Sequence, residues 1–251
     1  MPVPLRVAHA AFRGVDRRGA AQLLEGAPAG DYLLHPSEAA HPAHLPGRLT
    51  LTWKVAEGVL QHLPLGEGAG GVLVLPAVLD APPATDCYED VEEIVARRIE
   101  PIVSLLQEAR ACPKFFNCLR GGAGAGAVDA LDAARHRITA HLRHVHAANP
   151  ARTPYCLSLA PAPLAGHLLL GHLGGRRRVE VVRVDPRGFA LQPPGAGRAL
   201  LFDRVDRLVD YFKAHYRDFC RDDRDVSGAG ASASASASGS TSKYTQFADD
   251  Q

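Results

Sequence analysis

Twelve histidines and five cysteines are spread over the 251 residues, and His141, His144 and His146 form the group whose spacing most suggests a metal. On a helix only His141 and His144 share a face, and no neighbouring cysteine or carboxylate completes a tetrahedral set, so no metal is predicted. Cys87, Cys112, Cys118, Cys156 and Cys220 are odd in number and form no CxxC pair, as expected of reduced thiols packed as small hydrophobes. The serines, cysteines and histidines make no GxSxG or HExxH arrangement, and GAGAGA lacks the lysine and preceding strand of a phosphate-binding loop. No catalytic residues and no cofactor are therefore expected. Cation chemistry is left. Arg176, Arg177 and Arg178 mark a turn, and Arg135, Arg137 and Arg143 alternate with His136, His141, His144 and His146 along a helix. Such groups suit either an acidic or phosphorylated ligand or plain solvation.

The net charge of +1 gives no global attraction to nucleic acid or to an anionic membrane, so any basic site must be local. With 46% hydrophobic and 22% charged residues the chain is ordinary globular protein, long enough for one large domain or two of about 100 to 120 residues. MPVPLRVAHA lacks the apolar run of a signal peptide, and no stretch approaches the roughly 18 apolar residues of a membrane span; an intracellular protein is expected. From Ser227 the chain reads SGAGASASASASGSTSKYTQFADDQ, which cannot bury enough apolar surface to offset its chain entropy. Residues 223–251 are expected to be a disordered tail. GGAGAGA, residues 121–127, reads as a flexible hinge between two folded halves.

The elements that must hold these groups follow from periodicity. Asp16 is placed to cap a helix over 17–24, and residues 32–34 form a short apolar strand. LTLTWKV, residues 49–55, alternates as a strand and turns at Glu57 and Gly58 into 59–63, with a weaker strand at 72–75. Asp86 with Glu89 has the spacing of a capping box, opening a helix that Pro101 kinks before it continues over 102–111. The second half predicts a helix over 128–147, strands at 155–159, 168–171, 179–184 and 188–191, and a closing helix over 204–216. Helix, antiparallel strands and helix, occurring twice, is an α+β pattern.

RVAHAAF, GDYLLHPS, LTLTWKVAEGVLQH and YEDVEEIVARRIEPI resemble the first half of the tandem Src-homology-2 module of the suppressor-of-Ty-six transcription elongation factor family, whose members are histone chaperones. TPYCLSLAPAPLAGHLLLG, RRRVEVVRVDPRGF and VDYFKAHYRD are similar to its second half. The resemblance covers about residues 6–218. It implies two Src-homology-2-like domains packed as one rigid unit, over 5–112 and 113–222. It also implies a nuclear, chromatin-associated binding module rather than an enzyme. The implied partner is the phosphorylated linker between the core and the repetitive tail of the largest RNA polymerase II subunit, with neither membrane nor sequence-specific nucleic acid binding expected.

The resemblance also implies two phosphate pockets for phosphoserine, phosphothreonine or phosphotyrosine. In the first, the family's decisive donor is an arginine at the end of the strand after GD, whose planar fork holds two phosphate oxygens. His35 stands there. Imidazole is shorter and ordinarily near-neutral at physiological pH, so this pocket is expected to be weakened, lost or pH-dependent. Ser37 and His62 match the family's loop serine and facing histidine. Glu38 replaces a neutral hydroxyl and would repel phosphate, while Arg48 is either a substitute guanidinium or a solvated loop charge. In the second pocket the family's two phosphoserine-binding lysines correspond to Lys114 in CPKFF and Lys213 in DYFKAHY. The competing expectation is a phosphate-independent interaction scaffold with a decayed first pocket. Trp53, on an alternating strand, is expected in a core or between the domains.

Overall fold

The computed structural model describes residues 9–37, 49–67, 73–75, 86–119, 127–162, 164–174 and 179–221. The expected hinge, the expected tail, Glu38, Arg48 and Arg176 to Arg178 lie outside them, apart from residue 127 at the hinge's end. Two antiparallel five-stranded sheets run in the orders β1-β2-β3-β4-β5 and β10-β9-β8-β7-β6, each flanked by helices.

The first sheet comprises β1 (Tyr32–Pro36), β2 (Leu49–Ala56), β3 (Val59–Glu67), β4 (Leu73–Leu75) and β5 (Asp86–Tyr88). The alternation of LTLTWKVA sends Leu51, Trp53 and Val55 into the main core and Thr50, Thr52 and Lys54 to the opposite face. That second face is not left to water. α1 (Arg17–Leu24) packs on it through Ala20 and Leu24, against Leu33 and Leu60, so Thr50, Thr52 and Lys54 are all buried. Asp16 caps α1 as expected, accepting from the Gly19 N–H at 2.7 Å. Lys54 donates to the Glu25 carbonyl at the other end of the helix, which satisfies a terminal acceptor and compensates a buried ammonium. Gly58, at φ +70, makes the β2–β3 turn, a conformation that a Cβ disfavours.

One expectation for the next helix is corrected. Asp86 pairs with Leu75 in the sheet, so the helix starts later, at α2 (Val91–Ile94). The cap is Asp90, which accepts from Glu93 N–H at 2.7 Å, while Glu93 reaches back one residue beyond it to accept from Glu89 N–H at 2.6 Å. The helix continues without a gap through a π turn over Val95–Ile99 into α3 (Glu100–Ala111), and Pro101, which has no N–H to give the ladder, stands directly after that change of winding.

The second half opens with α4 (Ala127–Ala148) and continues as β6 (Tyr155–Leu159), β7 (Leu168–His172), β8 (Val179–Asp185), β9 (Gly188–Leu191) and β10 (Leu200–Phe202). α4 lies on β7 through Ile138 and Leu142, and Gly171 permits that approach, because a Cβ there would meet Ile138 Cγ2 at 2.2 Å. The closing helix is two pieces, α5 (Val205–Ala214) and α6 (Tyr216–Cys220), divided at His215. Val205, Leu208, Val209 and Phe212 form the buried stripe of α5.

One apolar core passes beneath both sheets, from Leu51, Trp53, Ile99 and Leu106 to Leu157, Leu168, Val182 and Phe212. Glu108 of α3 accepts from the Val205 N–H at 2.9 Å, fastening the start of α5. Trp53 is fully buried, and its indole N–H donates to Gln61 at 2.9 Å. Gln61 in turn lies against Gly166 of the second half, where a Cβ would come within 2.9 Å of its Oε1. Trp53 thus sits where the halves meet, and truncating such a ring to alanine costs about 3–5 kcal/mol.

Candidate functional site

Lys114 and Lys213 arrive at the same ring. Lys114 Nζ lies 5.8 Å from the centroid of Tyr155 and Lys213 Nζ lies 6.0 Å from it, both within cation–π range. Three separate elements make this happen. The Leu157 N–H donates to the Lys114 carbonyl at 3.0 Å, and the Phe116 N–H to the Leu157 carbonyl at 2.8 Å. Residues 114–116 therefore run along β6, the edge strand of the second sheet, and cover it. Tyr155 opens β6 and packs on Phe212 with ring centroids 5.6 Å apart. Lys213 follows Phe212 on the last turn of α5.

Without a ligand, Lys213 pairs with Asp210 at 3.2 Å on the exposed side of α5. That bond, with the neighbouring Tyr155 phenol, raises the lysine's pKa, so it is cationic throughout the physiological range. An exposed pair of this kind is worth about 0–1 kcal/mol, little against a phosphate carrying about 1.5 to 2 charges. Burial raises the Tyr155 phenol, against the opposing pull of Lys213; the ring is a neutral wall with a hydroxyl to offer. Behind Lys114, His141 of α4 stacks on Phe116 at 4.0 Å and 3°. Burial first, then the charges of His144 and Lys114, lowers the His141 pKa.

The other expected site is built on the α1-facing side of the first sheet. The register pairs His35 with Thr50 and Thr52 with His62, placing all four on one face. His35 is 2% exposed, and both of its ring nitrogens are engaged. Nδ1 donates to the Pro36 carbonyl at 2.9 Å, and Nε2 is 2.8 Å from the Thr52 hydroxyl. The same hydroxyl is 2.7 Å from Nδ1 of His62. Ser37, at the end of β1, bonds the Thr50 hydroxyl at 2.8 Å. Burial lowers the His62 pKa to about 4, with smaller contributions from Arg17 and His35.

The structure thus brings Lys114 to Lys213, and His35 and Ser37 to the neighbourhood of His62. It also adds residues that the motifs do not single out. Thr50 and Thr52 link the first group, a placement legible in the period-2 alternation of LTLT once α1 is known to cover that face. Arg17, on the exposed first turn of α1, is near enough to His62 to act on its charge, and no local sequence signal marks it. Tyr155 is legible only as the residue after TP. Among the described residues, no three His, Cys, Asp or Glu side chains gather as metal ligands, and no helix is long and apolar enough to cross a membrane.

Comparison with known proteins gives the same architecture. The profile of the SH2 domain family matches residues 5–215. Transcription elongation factor SPT6 of Drosophila melanogaster is 28% identical over 216 residues, and its homolog of Arabidopsis thaliana 25% over 225; each alignment covers 84% of this chain but only 10% and 12% of those proteins. The chain spans about a tenth of the length of these relatives. A solved structure described as a tandem SH2 domain of transcription elongation factor Spt6 that binds the phosphorylated RNA polymerase II C-terminal repeat domain superposes with a TM-score of 0.59. It is 18% identical and covers 84% of this chain and 95% of its own. The tandem SH2 domains of Spt6 from Antonospora locustae superpose at 0.55, with 17% identity and 82% and 93% coverage. With a family match over most of its length, and with two sheets each flanked by helices over one core, the chain belongs to the SH2 domain family, in the tandem arrangement found in the Spt6 transcription elongation factors.

Proposed function

We propose that the chain is a phosphopeptide-binding module of a nuclear transcription elongation factor, which tethers that factor to RNA polymerase II and catalyses nothing itself. The observation that carries this reading is the convergence of Lys114 and Lys213 on Tyr155. Two ammonium groups from distant segments face one buried ring, with Asp210 as the only carboxylate bonded to either among the described residues. A phosphate displaces that carboxylate and receives charge-assisted hydrogen bonds from both lysines.

The first pocket contributes differently from an arginine-based one. His35 has no free nitrogen to offer a ligand, so direct contact falls to Ser37, His62 and the neighbouring Arg17. Arg48 and Arg176 to Arg178 are proposed as accessory cations from the sequence alone. The closed bonding of His35 favours, as a second reading, a scaffold in which only the Lys114–Lys213 site retains phosphate.

Calorimetric titration with phosphorylated and unphosphorylated polymerase peptides tests the proposal. One arm uses the linker implied by the sequence resemblance and the other the repeat that the solved Spt6 module is described as binding. Binding is expected only to phosphorylated peptide and is expected to be abolished by Lys114→Glu with Lys213→Glu, two surface changes that leave the circular dichroism intact. Undiminished affinity of the double variant overturns the assignment, and equal affinity for dephosphorylated peptide favours the phosphate-independent scaffold.

A further inference from the structure

The hydrogen-bond chain under the first pocket admits a limited set of proton arrangements. His35 Nδ1 faces the Pro36 carbonyl at 2.9 Å, which only accepts, so that nitrogen carries a proton. With His35 neutral, its Nε2 is a lone pair, and the Thr52 hydroxyl at 2.8 Å must donate to it. The Thr52 oxygen then accepts from Nδ1 of His62 at 2.7 Å. A neutral His62 is therefore left with a bare lone pair on Nε2, the nitrogen that has no hydrogen-bond partner among the described residues on this partly exposed ring. A phosphate oxygen is also an acceptor, so the resting network offers it nothing.

One proton from solvent reverses the chain. It lands on Nε2 of His62, the Nδ1 proton of His62 passes to the Thr52 oxygen, and the Thr52 proton passes to Nε2 of His35. One proton has entered and none has left. His62 is neutral again but now presents an N–H outward, and the positive charge rests on His35 beneath it. Protonating His62 alone is disfavoured: with its pKa near 4, about one molecule in a thousand carries that charge at pH 7.

We propose that the first pocket is a proton-coupled anion site, which takes up a doubly charged oxyanion such as a phosphate monoester together with one proton, using His62 Nε2 as donor and buried His35 as the cation. The site rests on the phosphopeptide reading given above. Thr52 is the relay, and its replacement by a residue without a hydroxyl disconnects donor from cation. The charged or titratable groups facing His62 among the described residues are Arg17 from α1 and His35 from β1. From β2 the neighbours are the neutral Thr50 and Thr52. Arg17 disfavours a cation on His62 itself, whereas a cation on His35 has the Pro36 carbonyl and the Thr52 oxygen to accept from its two N–H groups.

The test uses the full chain with Lys114→Ala and Lys213→Ala, which removes the second pocket, labelled with 15N-histidine. The probe is inorganic sulfate, whose double charge does not change across the range of about pH 5 to 8 in which imidazoles ordinarily titrate. Without sulfate at about pH 8, the His62 proton is expected on Nδ1; with sulfate at lower pH it is expected on Nε2, with His35 protonated at both nitrogens. Calorimetry in two buffers of different protonation enthalpy is expected to show about one proton taken up, and affinity to fall about tenfold per pH unit at the alkaline end. Thr52→Val is expected to remove both the tautomer change and the proton uptake. Sulfate binding without either signature, or a resting His62 already protonated on Nε2, overturns the proposal alone. No sulfate binding even at about pH 5.5 overturns it together with the phosphate reading of this pocket, whereas loss of phosphopeptide binding on changing Lys114 and Lys213 concerns only the other one.

Discussion

Acid should loosen the protein through His62, by an amount that its surroundings set. Burial against the sheet, with Arg17 and His35 beside it, brings this imidazole from the ordinary 6.5 to about 4. The unfolded chain therefore takes up a proton first. The stability contributed by neutral His62 is complete above about pH 6.5 and is lost as the pH falls towards about 4. At about 1.4 kcal/mol per pH unit the whole window amounts to about 3 kcal/mol, and solvent screening of the partly exposed ring reduces it to about 2 kcal/mol. The chain's single tryptophan, Trp53, is fully buried, so its emission follows urea unfolding without an added label. Wild type and His62→Gln are compared at about pH 7 and about pH 4. Carboxylate titrations common to both proteins cancel in the comparison, and the wild type is expected to lose about 2 kcal/mol more than the variant over this interval. Parallel losses, agreeing within about 0.5 kcal/mol, would refute the account of a buried, destabilised imidazole.

Arg17→Ala should raise the His62 pKa only part of the way towards its ordinary value, because burial is the larger cause and stays in place; NMR titration of the ring protons measures this. Gly171→Ala should destabilise by about 1–3 kcal/mol, since its Cβ collides with Ile138, and Ile138→Val in the same chain should recover part of the loss in denaturant titration. Iodoacetamide followed by mass spectrometry should modify exposed Cys87 first and leave Cys118 and Cys156 unmodified until the protein unfolds. Burial raises both thiols, Cys156 to about 12, so neither supplies thiolate.

Much of the fold was legible because local signals and tertiary demands agree. Asp16 caps the helix that its spacing suggests, and LTLTWKV pairs where its alternation predicts. The failures fall where pairing overrode local chemistry. Asp86 is a good cap by type, but the edge strand claimed it, and Asp90 caps the helix instead. The short β10 (Leu200–Phe202) has no periodic signal of its own and exists through its pairing with β9. The sites were legible in unequal parts. Lys114 and Lys213 could be named from motif resemblance, but their meeting at Tyr155 depends on a strand edge and a helix end that no local pattern connects. His35 could be recognised as occupying an arginine's place. That its nitrogens are spoken for by Pro36 and Thr52 follows only from the fit of three strands under α1.

If the chain binds phosphopeptide as proposed, the core shared by the two sheets bears on what sort of message it would read. Leu51 and Trp53 on one side and Leu168, Val182 and Phe212 on the other belong to a single packed core, which ties the two proposed pockets to one body. On the phosphopeptide reading proposed above, a peptide anchored in one would offer its next phosphate to the other at an effective concentration governed by the chain between them, millimolar for a short flexible spacer. Too short a spacer engages one pocket only; a longer one weakens the gain gradually. On that reading the apolar interior would act as a gauge, and discrimination would lie in the distance between two marks as much as in the residues around either.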